Sequence, residues 1–456
     1  MIDRKSLLTA LQRWVKTFEN DLRWRCREVP ELDASLRASY AEVKDANRTA
    51  ESYETWRDGQ LTQAAVNWVL ACVFVRFLED NELLDHPWIA AAGDRRVEAE
   101  HVRDGFFNRH PTLSDRDYLE HVFTEIGKLP GMADLFDRRH NPLWRAGISG
   151  DAAGEFIAFW RKLEHDFTDP AWDTRFLGDL YQDLSEAARK QFALLQTPEF
   201  IEEFILDRTL EPAIDTFGYE HVRMIDPACG SGHFVLGGFA RLLRCWQEGH
   251  PELNEREVVL RALEGVAGVD INPFAIAIAR FRLLLAAWRA CDITRLRAAP
   301  DFRVNLAVGD SLLHGRRFRE FESGGGPQRT FDTEELFRDE LKHHYDVEDP
   351  EALHRILGRQ YHAVVGNPPY ITVKDSALSE FYRARYLSCS GKYSLSVPFM
   401  ERFFDLALKC GGNAQHPAGF VGQITSNSFM KREFGKKLIE EFLPREDLTH
   451  VLDTSG

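Results

Sequence analysis

From Thr197 onward, short β-rich runs alternate with helical ones, and this alternation constrains the fold more than any other feature of the chain. The β-rich runs are HVRMIDPA, GVAGVDIN, FRVNLAVGD, YHAVVGNPPY and, much later, GFVGQITSN. Helical GHFVLGGFARLLRCW and PFAIAIARFRLLLAAW lie among them. Such βαβα alternation implies a parallel sheet covered by helices on both faces. Ligands of such sheets sit beyond the carboxyl ends of the strands. Every motif with chemical content in this chain falls at one of those ends.

The first 185 or so residues have a different character. LLTALQRWVKTFENDLRWR and QAAVNWVLACVFVRFLEDNELL place apolar residues at three- and four-residue spacing, and few segments alternate at period two. A helical domain over residues 1–185 followed by an α/β domain over 186–456 is therefore expected, in keeping with two or three domains for 456 residues. Within the second, a charged stretch at about 315–359 contains SGGGP and reads as a surface insertion, with EDPEAL capping a short helix. The apolar stretch Val66 to Leu78 is interrupted by Asn67 and Arg76 and is too short to span a bilayer, so no membrane is expected. Seven scattered cysteines, none paired as CxxC, suit a reducing, cytoplasmic setting. A net charge of −15 argues against a broad basic coat but leaves room for a local basic groove. Lys431-Arg432, Lys436-Lys437, Arg383 and Arg385 are candidates for one, and equally for ordinary solvated faces.

Four strand ends carry the chemistry. In MIDPACGSGHF a strand ends in Asp226, and a tight loop holding Gly230 and Gly232 opens a helix at His233. Small residues let backbone approach a ligand, and the helix start offers free N–H groups. The loop is neither GxGxxG nor a GK[ST] phosphate loop, which counts against dinucleotides and ATP. GVAGVDIN puts Asp270 at a second strand end, where a carboxylate suits a ribose diol; a cap for the following helix is the competing reading. LAVGDSLL places Asp310 to accept from an adenine amino group. In HAVVGNPPY, two prolines stiffen the backbone after a buried strand and leave carbonyl oxygens free. Asn367 adds a side-chain carbonyl and Tyr370 a flat ring, so the loop can receive and stack an exocyclic amino group on a planar ring.

Thr197-Pro198, DPACGSG, GVDIN, VGDSLL and GNPPY, in this order, resemble the S-adenosyl-L-methionine-dependent adenine-N6 methyltransferases of DNA. The resemblance runs from about Phe192 to Gly456 and extends to GKYSLSVPFMERFFDLALK and GFVGQITSNSFMKREFGKKL. With RFLGDLYQDLSEAARKQFALLQTPEF leading into the core, the helical first half looks like that of the methyltransferases of BREX phage-defence systems, those of type 2 systems in particular.

The resemblance implies a Rossmann-like class I methyltransferase sheet preceded by an all-α domain. It implies that Thr197, Asp226, Ala228, Gly230 and Gly232 hold the amino-acid end of the cofactor, Asp270 its ribose and Asp310 its adenine, with Ile271 a further cofactor-binding residue. It also implies that Asn367 and Pro368 accept from the target N6 amine, Tyr370 stacks on the target base and Pro369 shapes the loop. Double-stranded DNA is the implied partner, with other phage-defence proteins beside it; no metal is invoked. Ser394 stands where the family often has an acidic residue. The family's further strands and target-recognition domain are expected to be missing from this chain. Methylation of RNA or of a protein glutamine, or a catalytically silent cofactor-binding role, are the alternative readings.

Overall fold

The computed structural model describes residues 4–45, 51–91, 93–138, 141–162, 167–169, 174–184, 197–318, 349–373, 376–410 and 417–453. The chain divides into two compact units, Met1–Gln196 with Ala277–Arg303, and Thr197–Ile276 with Val304–Gly456. Most of the expected insertion, residues 319–348, and residues 185–196 of the lead-in segment lie outside the described residues.

The first unit is built from α1 (Arg4–Glu28), α2 (Pro30–Asp45), α3 (Tyr53–Asp80), α4 (Arg95–Arg109), α5 (Asp115–Ile126), α6 (Gly150–Lys162) and α7 (Arg175–Leu184). Up to residue 184, no described residue lies in a strand, as the periodicity implies. By length and composition α3 is apolar enough to cross a membrane, yet 94% of that apolar stretch is buried inside the protein. Its last turn carries a buried ionic knot. Arg76 pairs with Glu79 at 2.6 Å and with Asp80 at 2.7 Å, and Glu79 accepts the backbone N–H groups of Trp88 and Ile89 at 2.7 and 2.6 Å. Buried charges persist when paired and hydrogen-bonded in this way.

The second unit contains α8 (Glu199–Phe217), β1 (Met224–Asp226), α9 (His233–Gly249), α10 (Glu255–Glu264), β2 (Val266–Asp270), the start of α11 (Pro273–Arg289), β3 (Asn305–Val308), α12 (Pro350–Leu357), β4 (Ala363–Gly366), α13 (Ser376–Arg385), α14 (Ser396–Leu406), β5 (Phe420–Gln423) and α15 (Ser428–Lys431). All five expected strands are present and parallel, in the order β3-β2-β1-β4-β5. The order reverses between β1 and β4, the switch point of a Rossmann-like sheet.

Alternation along each strand sorts side chains onto two faces. Met224 pairs in register with Val266, and a Cβ on Gly238 of α9 would stand 2.3 Å from the Met224 Cε atom, so α9 lies close against that face. On the other face, Ile225, Ala267, Val269 and Val364 form one core with Leu353 and Ile356 of α12, Tyr382 of α13 and Phe399 and Phe403 of α14. Asp349 caps α12 by accepting the Ala352 N–H at 2.9 Å, as EDPEAL suggests.

The compact units do not follow a single cut near residue 186. Residues 277–303, which carry most of α11, group with the helices. There Phe281 meets Phe74 with ring centroids 5.2 Å apart, Arg280 pairs with Asp134 at 2.7 Å, and the Leu296 N–H donates to the Leu83 carbonyl at 2.9 Å. Within it the apolar side chains of α11 from Phe281 to Trp288 are almost all buried, with Arg280 turned to its acidic partner.

Candidate active site

The carboxyl end of β1 delivers Asp226 into a turn, 2% exposed, where its Oδ1 accepts the Ala228 N–H at 3.0 Å. Two glycines make the turn possible. Gly230 and Gly232 have φ of +53° and +87°, left-handed values that a side chain disfavours, and Gly232 is the residue from which α9 starts. A Cβ on Gly230 would meet nothing within 4 Å, so its backbone borders open space. Cys229 is buried and donates its backbone N–H to the Val269 carbonyl at 3.0 Å, a packing residue of the loop.

Asp270, at the end of β2, faces this loop. Its Oδ2 accepts the Gly230 N–H at 2.9 Å and its Oδ1 the Asn272 N–H at 2.8 Å. The helix cap weighed against it in the sequence is supplied by a neighbour: Asn272 Oδ1 accepts the Phe274 and Ala275 N–H groups at 3.1 and 3.4 Å. Ile271 between them is half-buried. Burial pushes the Asp270 carboxyl above the usual carboxylate range, against the hydrogen bonds of Asn272, Gly230 and Ile271. The Asp226 carboxyl is held well above it, by burial first and then by the negative charges of Asp270 and Glu202.

Asp310 follows β3 and is 3% exposed. The Gly309 N–H beside it donates to the Asp270 carbonyl at 2.9 Å, tying the second and third strand ends together. Asp310 Oδ1 accepts the Leu312 N–H at 2.8 Å, and its Oδ2 accepts the hydroxyl of Tyr382, on α13. Sequence reasoning did not single out Tyr382. The available signal was FYRARY, in which Tyr382 and Tyr386 stand four apart on one helix face, and a buried tyrosine hydroxyl needs a partner. Tyr386 finds its own at the Leu312 carbonyl, 2.7 Å away.

The end of β4 lies against β1. A Cβ on Gly366 would stand 2.5 Å from Asp226 Oδ1, so glycine is what allows the two strand ends to meet. The next residue, Asn367, donates from Nδ2 to Thr197 Oγ1 at 3.3 Å and accepts at Oδ1 from the Tyr370 hydroxyl. Thr197, expected at the cofactor's methionine end, therefore touches the residue expected to receive the target amine. Pro368 is buried, Pro369 and Tyr370 are half-buried, and burial raises the Tyr370 hydroxyl pKa. After the loop, Thr372 bridges Ser394 in antiparallel fashion and the Leu395 N–H donates to the Ile371 carbonyl at 2.8 Å. Ser394, buried at 4% exposure, accepts the Ser396 hydroxyl at 3.1 Å.

Thus one chain of contacts links Tyr370, Asn367 and Thr197, passes from Gly366 to Asp226, and continues through Gly230, Asp270 and Gly309 to Asp310. Chemically, the set offers the three carboxyl groups of Asp226, Asp270 and Asp310 around one open backbone cradle, and an amide oxygen and a flat ring next to them.

Residues 264–456 match the Eco57I restriction-modification methylase family. The adenine-specific methyltransferase PglX of Streptomyces coelicolor is 49% identical over the whole of this chain, which spans 39% of that protein. The adenine-specific methyltransferase BrxX of Escherichia coli O9:H4 (strain HS) is 23% identical over 48% of this chain and 22% of its own length. Among solved structures, the DrdV–DNA complex superposes with a TM-score of 0.44 and 13% identity, covering 88% of this chain and 34% of that one.

Proposed function

We propose that this chain is the cofactor-binding and catalytic part of an adenine-specific DNA methyltransferase acting in phage defence, in the cytoplasm, with double-stranded DNA as its substrate. The observation that carries this reading is Asn367 at the end of β4, hydrogen-bonded to Thr197 and Tyr370 and one residue from the contact of Gly366 with Asp226. The identity to an adenine-specific methyltransferase over the full chain supports it. The chain spans about two-fifths of that relative's length, so activity, substrate and further defence proteins as partners all belong to the proposal.

The residues fit S-adenosyl-L-methionine. The Asp226 and Asp270 carboxyl groups brace the glycine loop through the Ala228 and Gly230 N–H groups, and the backbone at Gly230 borders open space. When bound, the cofactor supplies an electrophilic methyl group and brings positive charge to these carboxylates. Thr197, Asp226, Ala228, Gly230 and Gly232 hold its amino-acid end, Asp270 its ribose and Asp310 its adenine, with Ile271 beside them. The lone pair of the target N6 amine is delocalised into the purine ring. Asn367 Oδ1 and the Pro368 carbonyl accept its two hydrogens, draw the nitrogen towards tetrahedral geometry and aim the lone pair at the methyl group. Pro369 stiffens the loop and Tyr370 stacks on the base. The rate gain comes from positioning and fixed dipoles. A base inside a duplex cannot reach such a pocket, so it flips out.

Tritiated methyl transfer to duplex DNA, with Asn367→Ala beside the wild type, tests the reading. Label in adenine for the wild type, lost in the variant while cofactor binding survives, is expected. Label in RNA or protein but not in DNA would overturn it.

A further inference from the structure

The second unit contains a basic cavity that this reading does not use. Its volume is about 530 Å³, and it is lined by Arg383 from the last turn of α13, by Ser390, Gly391 and Lys392 from the loop that follows, and by Lys437 from beyond α15. No carboxylate of a described residue lines it, in a chain with 72 acidic residues against 57 basic ones. Arg383 is held in place, donating to the Gly391 carbonyl at 2.9 Å and pairing with Glu380 on its own helix. Lys392 and Lys437 make no ion pair with any described residue. Their neighbours differ in this respect, since Lys436 pairs with Glu440 at 3.9 Å. Three cations, two from α13 and its following loop and one from beyond α15, thus share one hollow, two of them without a counter-charge among the described residues. Like charges gathered in one hollow make it a favourable place for an anion.

The position of the cavity says which anion. Lys392 is two residues before Ser394, which bridges Thr372, itself two residues after Tyr370. Two extended residues on either side of one antiparallel bridge span under about 20 Å. Phosphates along one DNA strand recur about every 3.4 Å along the helix axis, so this is a distance of a few nucleotides. Ammonium groups bind phosphate as point charges, and the Ser390 hydroxyl adds a neutral donor. We infer that the cavity lined by Arg383, Lys392 and Lys437 binds the phosphodiester backbone of the substrate DNA next to the flipped base. This inference rests on the methyltransferase reading: it names where the duplex is gripped. Arg383 sets the shape of the site, and Lys392 and Lys437 supply the charge. Such contacts carry register and affinity without base information.

The test is the salt dependence of duplex binding. The protein, with S-adenosyl-L-methionine present, is titrated into a short fluorescent DNA duplex at several salt concentrations. Wild type is compared with the double variant Lys392→Gln/Lys437→Gln and with Lys392→Arg/Lys437→Arg. Losing two phosphate contacts lowers the slope of log K against log salt by roughly 2, so the gap between wild type and the Gln variant should narrow by about tenfold between 50 and 200 mM salt. The Arg variant should keep the wild-type slope, and calorimetry should give one cofactor affinity for all three. An unchanged slope in the Gln variant, with the wild type binding DNA, overturns the cavity's role and leaves the methyltransferase reading standing. A folded, cofactor-loaded wild type with no affinity for duplex overturns both.

Discussion

Asp226→Asn separates what the first strand end does for stability from what it does for a ligand. The carboxyl is 2% exposed, accepts one backbone hydrogen bond from Ala228, and is raised well above its ordinary pKa by burial and by Asp270 and Glu202. The folded chain therefore keeps a proton that the unfolded chain loses above about pH 4. A raised folded-state pKa gives stability that is full below the unfolded value and is lost as pH rises through the folded one. Inside that window one proton changes the unfolding free energy by about 1.4 kcal/mol per pH unit. Asparagine keeps an acceptor for the Ala228 N–H and has no charge to desolvate. Asp270 titrates in both proteins, so to a first approximation its contribution drops out of the comparison. Relative to wild type, the variant should thus gain up to about 3 kcal/mol as pH rises from about 5 to 7. For a unit of 150–250 residues each kcal/mol moves Tm by roughly 2–4 °C. Urea unfolding at three pH values across that interval measures the gain directly, and titration of S-adenosyl-L-methionine into the same samples should show binding weakened in the variant. A stability difference that does not change with pH, or a variant less stable than wild type near neutral pH, would refute the reasoning.

Further outcomes are expected from the contacts around the site. Tyr382→Phe removes the hydroxyl that Asp310 accepts and leaves a buried acceptor without that donor, at a cost of about 1–3 kcal/mol, and should lower both chemical stability and cofactor affinity, read by urea midpoint and calorimetry. If affinity is unchanged while stability falls, Tyr382 is structural and does not position Asp310. Arg402 is fully buried, pairs with Asp405 at 2.6 Å and donates to the Ser311 and Arg316 carbonyls at 2.9 and 2.8 Å. Arg402→Leu leaves Asp405 without that partner and should cost about 3–5 kcal/mol in denaturant unfolding; a loss under 1 kcal/mol would show the pair to be dispensable. Glu79→Gln removes the charge that Arg76 and the N–H groups of Trp88 and Ile89 share, and should destabilise the helical unit, seen as a lower thermal midpoint with cofactor affinity intact.

Much of this was legible in one dimension because strand ends and tight turns are written in local chemistry. A buried apolar run that stops at Asp226, Asp270, Asp310 or Asn367 announces both the strand and the polar residue at its carboxyl end, and left-handed turns at Gly230 and Gly232 admit few other residues. Sequence therefore determined the parallel α/β sheet, its five strands, the all-helical first half and the residues that crowd the switch point. What it left open depended on which distant segments come together. Whether Asp270 caps α11 or holds the Gly230 loop turned on a contact between residues 40 apart. The Tyr382–Asp310 pair spans 72 residues, and the grouping of 277–303 with the helices rests on partners such as Phe74 and Asp134. Lys392 and Lys437 look like any solvated lysines until the fold brings them to one hollow with Arg383. Periodicity reports which face of an element is buried, but not against what; that choice belongs to the packing of the whole chain, and it lies with the tertiary structure alone.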